Sequence, residues 1–184
     1  MKFMMKLSLA VATLLAATAV GNAQPKFGYV NSKEIVFSMP DIAEVQASLE
    51  KLQKEIEEQL EFIQVEYNNL LVEYQKNAST YADSVRQSIE KDLMNLQQRY
   101  EELGKAGTQD MQNKQAELMT PVFEKAQAAI NKVAAEGGYT AIFDTNVGAL
   151  AYHDPAQMTD ISPLVKKELG IPENATPTPA PAAE

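Results

Sequence analysis

From Asp41 to about Lys76 the chain carries neither proline nor glycine, and apolar residues recur at spacings of three and four. Ile42, Val45, Leu49, Leu52 and Ile56 open this stripe, and Leu60, Ile63, Tyr67, Leu70 and Tyr74 continue it. That is the spacing of a coiled-coil seam with one stutter around Ile56. About 36 residues at ~1.5 Å each make a helix of roughly 54 Å, far longer than a globular domain usually holds. Asp41 with Glu44 reads as a capping box at its start. Asn77-Ala78-Ser79-Thr80 interrupts the pattern, and Thr80 with Asp83 starts a second helix. Tyr81, Val85, Ile89, Leu93, Leu96, Tyr100 and Leu103 form its stripe. Two long amphipathic helices joined by a short polar link fold back as an antiparallel hairpin. A turn at Asn77 and Thr80 makes paired positions sum to about 157, which sets Ile63 opposite Met94 and Ile56 opposite Glu101.

The returning helix weakens between Gly104 and Ala116. Gly104 and Gly107 each cost about 1 kcal/mol relative to alanine, and the residues after them offer no apolar stripe. This is a bendable section that lets the arm splay. The stripe resumes at Leu118, Val122, Phe123, Ala126, Ile130 and Val133, with Pro121 expected to kink or restart the helix and Gly137-Gly138 to end it.

The ends of the chain supply the rest. Lys2 and Lys6 precede an apolar run from Leu7 to Val20, and Gly21-Asn22-Ala23 places small residues where signal peptidase reads them. That is a signal peptide over residues 1–23, with cleavage after Ala23 and export of the remainder. Phe27 to Asn31 reads as a strand, with Asn31 and Glu34 as a capping box for a helix from Ser32 to about Ser38. These residues, 24–40, and 137–171 form a body into which the arm, 41–136, is inserted. Strands are expected at Tyr139–Asp144 and Ala149–His153, with Thr145 to Gly148 as the turn between them. Asp160 or Ser162 caps a last helix with Leu164, Val165 and Leu169 on its apolar face. Residues 172–184 are rich in proline, alanine and threonine and read as a disordered tail.

The fold class is therefore mainly α with a small β body, an α+β chain. Three short strands make a marginal sheet with two exposed edges. Closure against copies of the same chain removes those edges, so a homo-oligomer assembled through the strands is expected, with Phe27, Tyr29, Ile142, Phe143, Leu150 and Tyr152 as its strand residues.

The chemistry of an enzyme is hard to assemble from these residues. There is no cysteine, and the single histidine, His153, stands at a strand end beside Asp154-Pro155. No glycine-rich phosphate loop is present. Glu55, Glu57, Glu58 and Glu61 read as a solvated helix face rather than a cation site. No catalytic, cofactor or metal residue is assigned. Without Lys2 and Lys6 the 16 basic residues fall to 14 against 25 acidic ones, a formal charge of about −11. That balance disfavours nucleic acid and anionic membranes as partners. No second apolar run is long enough for stable membrane insertion. The informative residues are apolar side chains off the seam: Phe62, Val65, Leu71, Val72 and Met94. Some widen the seam, and others form an exposed apolar surface that offers contacts to whatever the arm binds.

The order of strand, long helical hairpin, two strands and final helix resembles the OmpH-like (Skp) family of periplasmic chaperones. The resemblance rests on Phe27-Gly28-Tyr29-Val30-Asn31, on Lys91-Asp92-Leu93-Met94, and above all on Ile142-Phe143-Asp144-Thr145-Asn146 through Ala149-Leu150-Ala151-Tyr152, followed by Asp160-Ile161 and Val165-Lys166. It implies a homotrimer whose strands close a small barrel. It implies arms enclosing a cavity that holds unfolded outer-membrane proteins in transit, without ATP. The best-known members are strongly basic and this chain is acidic, which shifts client binding towards apolar contact. A secreted coiled-coil scaffold with one fixed partner is the competing reading. It differs in hiding apolar surface permanently, where a chaperone leaves it exposed.

Overall fold

The computed structural model describes residues 25–148, 150–172 and 175–179. The expected signal peptide and its cleavage site lie outside the described residues. The elements run β1 (Phe27–Val30), α1 (Ser32–Phe37), α2 (Asp41–Asn77), α3 (Asp83–Glu136), β2 (Ala141–Asp144), a 3-10 turn (Thr145–Val147), β3 (Met158–Asp160) and α4 (Ser162–Glu168). The hairpin is present, with 37 residues in α2 and 54 in α3. At ~1.5 Å per residue these are about 55 and 80 Å long. The helix α3 runs unbroken through Gly104, Gly107 and Pro121, so the proline does not restart it. It ends in a Schellman motif, with Gly138 at φ +65° and the Tyr139 amide reaching back to the Ala134 carbonyl at 3.0 Å.

Helix starts differ from the sequence expectation in instructive ways. Asn31 caps α1 as expected, its side chain accepting from the Glu34 amide at 3.1 Å. The Glu34 carboxylate does not complete the box; it pairs with Lys166 at 2.6 Å and ties α1 to α4. Asp41 does not cap α2 either. Pro40 holds the cap position, and the Asp41 carboxylate takes the Lys125 ammonium at 2.9 Å across the hairpin. Thr80 does not cap α3: its hydroxyl donates to the Asn77 carbonyl, and Ala82 in extended backbone begins the helix. In each case a nearer or charged partner took the side chain that the pattern assigned to a cap.

The sheet corrects a larger expectation. Its order is β2-β1-β3, and both outer strands run parallel to β1. Phe27 stands opposite Ala141 on one side and Met158 on the other. The expected strand Ala149–His153 is not a strand among the described residues of that segment. The expected turn at Thr145 to Gly148 forms a 3-10 turn instead, and residues 150–153 make no ladder pair. Met158–Asp160 occupies that edge of β1 instead. The sheet is open at both edges and is not a closed barrel within one chain.

The core lies where the base of the hairpin meets the body. Ile35, Ile42, Ile161 and Val165 are fully buried there, packed with Val122, Ala126, Ile130 and Val133 from the last part of α3. In α4 the expected face turns: Val165 is buried and Leu169 packs against the core, whereas Leu164 is half exposed. Asp144 joins sheet to helix. Its carboxylate accepts from the Ser32 hydroxyl, from the Ser32 amide at 3.2 Å and from the Asn146 amide at 2.9 Å. Partial burial raises its pKa, but these three bonds together outweigh that and hold it below the usual carboxylate value. A carboxyl depressed in the folded state stabilises above its unfolded pKa, about 3.9, and loses that contribution as pH falls through the lower folded value. Asp144→Asn is therefore expected to flatten the acid limb of stability below about pH 4. Urea midpoints measured from pH 2 to 6 check it, and an unchanged acid slope would remove the assignment.

Residues 175–179 of the tail lie against this body. The Thr178 amide donates to the Phe37 carbonyl at 2.7 Å, the Gln46 amide donates to the Pro179 carbonyl at 3.0 Å, and Ala175 packs on the core. The Phe37 carbonyl at the end of α1 lacks a helical partner, and the tail satisfies it. Truncation after Pro172 should cost about 1 kcal/mol, the worth of one or two such bonds. A lowered urea midpoint with an unchanged slope is the expected readout.

Candidate functional site: the outer half of the hairpin arm

Beyond Leu49 and Met119 the core thins to a two-helix seam. Ile63 and Leu96 are its buried members in the outer half, and Leu60, Tyr67, Leu70 and Tyr74 are half buried. The register differs from the expected one. The Gly107 backbone lies against Ile56, whose Cγ2 is 2.7 Å from where a Cβ at this position would stand. Tyr74 donates its hydroxyl to the Glu90 carboxylate, and Asp41 meets Lys125. These pairs sum to between 163 and 166, so Met94 does not face Ile63 and Glu101 does not face Ile56. The cause is the link, which keeps Ala78 to Ala82 out of both helices and is longer than the tight turn expected at Asn77 and Thr80.

Tyr67, Tyr74 and Tyr81 lie along the seam, as their heptad spacing suggests. Tyr81 donates to Glu73 at 3.3 Å. The Tyr74 phenol is raised above its ordinary pKa, first by its bond to Glu90 and then by slight desolvation and the same carboxylate's charge.

Of the five off-seam apolar residues, four stand in solvent. Phe62 is 68% exposed and Met94 63%, with Val65 and Val72 close to half. Leu71 is half buried and belongs to the flank of the seam. Phe62, Val65 and Val72 share one side of α2, at turns of three and seven residues, and Met94 lies on α3. The arrangement therefore presents scattered apolar contacts on both helices and no enclosed pocket. Sequence reasoning misses further exposed members: Val85, Tyr100 and Phe123 fall on the seam by spacing, yet each is 40% exposed or more. Phe123 follows buried Val122 by one position, about 100° round the helix, and that offset is the signal that was available. Between the helices, Phe62, Leu103 and Arg99 help to line an open groove of about 680 Å³.

The six strand residues fall on two sides of the sheet. Ile142 packs against the body core, while Phe27, Tyr29 and Phe143 lie on the other side, half exposed. Phe27 and Phe143 rings stand 6.2 Å apart, and the His153 ring lies 4.4 Å from that of Tyr29. Leu150 is half buried and Tyr152 is 82% exposed, both outside any strand. A methyl group added at Gly104 would meet no atom within 4 Å, whereas Gly107 is the close contact of the seam. Among the described residues no three or more histidine, aspartate or glutamate side chains converge on a metal position, and no helix is long and apolar enough to cross a membrane.

Comparison with known proteins places these features. Residues 26–169 match the family described as Outer membrane protein (OmpH-like). The chaperone protein Skp of Yersinia enterocolitica is 30% identical over 90% of this chain and 99% of its own length. Skp of Pectobacterium atrosepticum is 30% identical over 85% of this chain and 92% of its own. A solved OmpH-like structure from Caulobacter crescentus shares the fold, with a TM-score of 0.69 at 17% identity over 81% of this chain and 86% of that one. The Skp chaperones are not enzymes. With the family pattern spanning body and arm alike, the chain belongs to the OmpH-like family.

Proposed function

We propose that this protein is an ATP-independent holdase of the periplasm that binds unfolded outer-membrane proteins and keeps them from aggregating. The observation that carries the reading is the set of exposed apolar side chains on the outer arm: Phe62, Val65, Val72 and Met94. Chains that leave such groups in solvent use them for contact, and several shallow contacts hold a client without selecting one sequence. The relatives' description as chaperones supports the same reading.

The assembly is a homotrimer whose strands close a barrel, with three arms around a shared cavity. Two open sheet edges and the half-exposed aromatic side formed by Phe27, Tyr29 and Phe143 support it. Sedimentation of the mature chain should give three copies, and a compact monomer would remove the cavity. Dilution of unfolded outer-membrane proteins with and without the trimer tests the activity. Loss of light scattering at stoichiometric excess is expected, and undiminished aggregation would sink the assignment.

Gly104 and Gly107 supply arm flexibility, and they are separable. Gly104→Ala meets open space and removes backbone freedom only, stabilising the helix by about 1 kcal/mol and narrowing the range of client sizes held. Gly107→Ala also presses on Ile56, so its effect includes a shifted seam. Equal capture of small and large clients by Gly104→Ala would count against the hinge.

A further inference from the structure

We infer that the groove between the outer helices takes apolar segments of unfolded polypeptide that are flanked by lysine or arginine. The inference rests on the holdase reading and names the class of segment held. The floor is apolar, with Leu103 and the exposed Phe62 ring. The charged groups that line it are Glu55, Glu58 and Glu102 against Arg99 alone. Lys51 and Lys54 approach Glu55 and Glu58 only to 3.8 and 3.9 Å, and their side chains are 80% and 76% exposed. Such pairs are weak and yield readily to another cation. The excess extends along the arm: residues 50–106 carry 12 acidic side chains against 7 basic ones. A client segment with acidic flanks meets like charge at this rim, whereas lysine or arginine on either side of an apolar core meets carboxylates while the core covers Phe62.

Two disordered peptides with one apolar core, flanked by lysines in one and by aspartates in the other, test this by fluorescence anisotropy on the full mature protein. The lysine-flanked peptide should bind about tenfold tighter at about 20 mM salt, and the difference should shrink below about twofold at about 0.5 M, where charges beyond a few ångströms are screened. The Glu55→Gln, Glu58→Gln, Glu102→Gln triple variant should lose the preference and keep the apolar affinity. Phe62→Ala should weaken both peptides. Equal binding, a preference for aspartate, a preference that survives the triple variant, or indifference to Phe62→Ala would each overturn the inference. So would a smaller assembly on Phe62→Ala, since the groove would then be a contact between copies. If unfolded outer-membrane proteins are still held while the peptides bind alike, the groove inference alone falls. If neither peptides nor proteins are held, the holdase reading falls with it.

Discussion

Replacing Ile42 with alanine lowers the stability of the protein by about 3–4 kcal/mol. Ile42 is fully buried in the first turn of α2, at the point where the arm leaves the body. It belongs to the same cluster as Ile35, Ile161 and Val165, drawn from elements at both ends of the chain. Removing three buried carbons there forfeits their transfer energy and leaves a cavity that helices pinned by two ion pairs cannot close. Those pairs are Asp41 with Lys125 and Glu34 with Lys166. The loss is large beside the roughly 5–15 kcal/mol that holds an ordinary domain together. Urea titration followed by circular dichroism measures it as a lower midpoint. Val72→Ala on the exposed arm should change stability by less than about 0.5 kcal/mol. A loss below about 1 kcal/mol for Ile42→Ala would mean that the core does not lie at the base of the hairpin.

The opposite pattern is expected at the outer arm. Changing Phe62, Val65, Val72 and Met94 together to glutamine should leave helicity and midpoint nearly untouched, because all four are exposed and glutamine is a good helix former. Holding should suffer heavily. A fully covered side chain of this size contributes about 1.5–3 kcal/mol, and partial cover by a mobile client about 1 kcal/mol each. Four such losses weaken apparent affinity by roughly 10²–10³-fold. Titration of labelled, unfolded outer-membrane protein gives the number. Leu71 is left in place, since it flanks the seam and its loss would confuse stability with binding. Undiminished capture by the fourfold variant would move the client surface elsewhere.

The hairpin was legible because its signal is periodic and long. The bounds of α2 lie within a residue of those read from the stripe, and the termination at Gly137-Gly138 follows from backbone conformation that glycine alone adopts readily. The exposure of Phe62, Val65, Val72 and Met94 was legible because they lie off the stripe, whereas Val85, Tyr100 and Phe123 lie on it and are exposed all the same. What failed was whatever depended on a partner distant in sequence. Asp41 and Glu34 have good capping chemistry, and Lys125 and Lys166, brought in by the tertiary fold, took them. The register differs because a link of a few residues sets it, and the link runs on to Ala82, past the polar residues that mark it in the sequence. The third strand, Met158-Thr159-Asp160, is short and half polar, and only its register with Phe27 to Tyr29 makes it a strand.

The central strand is also the first made. Its neighbours begin 114 and 131 residues later, at Ala141 and Met158. A chain delivered from its N-terminus therefore brings out β1 with no mate, and must extrude the entire hairpin before either mate exists. The arm can zip on contacts a few dozen residues apart, while the sheet has to wait for nearly the last element. Interrupted synthesis would leave an arm with a single orphan strand at its foot, and the sheet cannot form until Met158 to Asp160 has emerged.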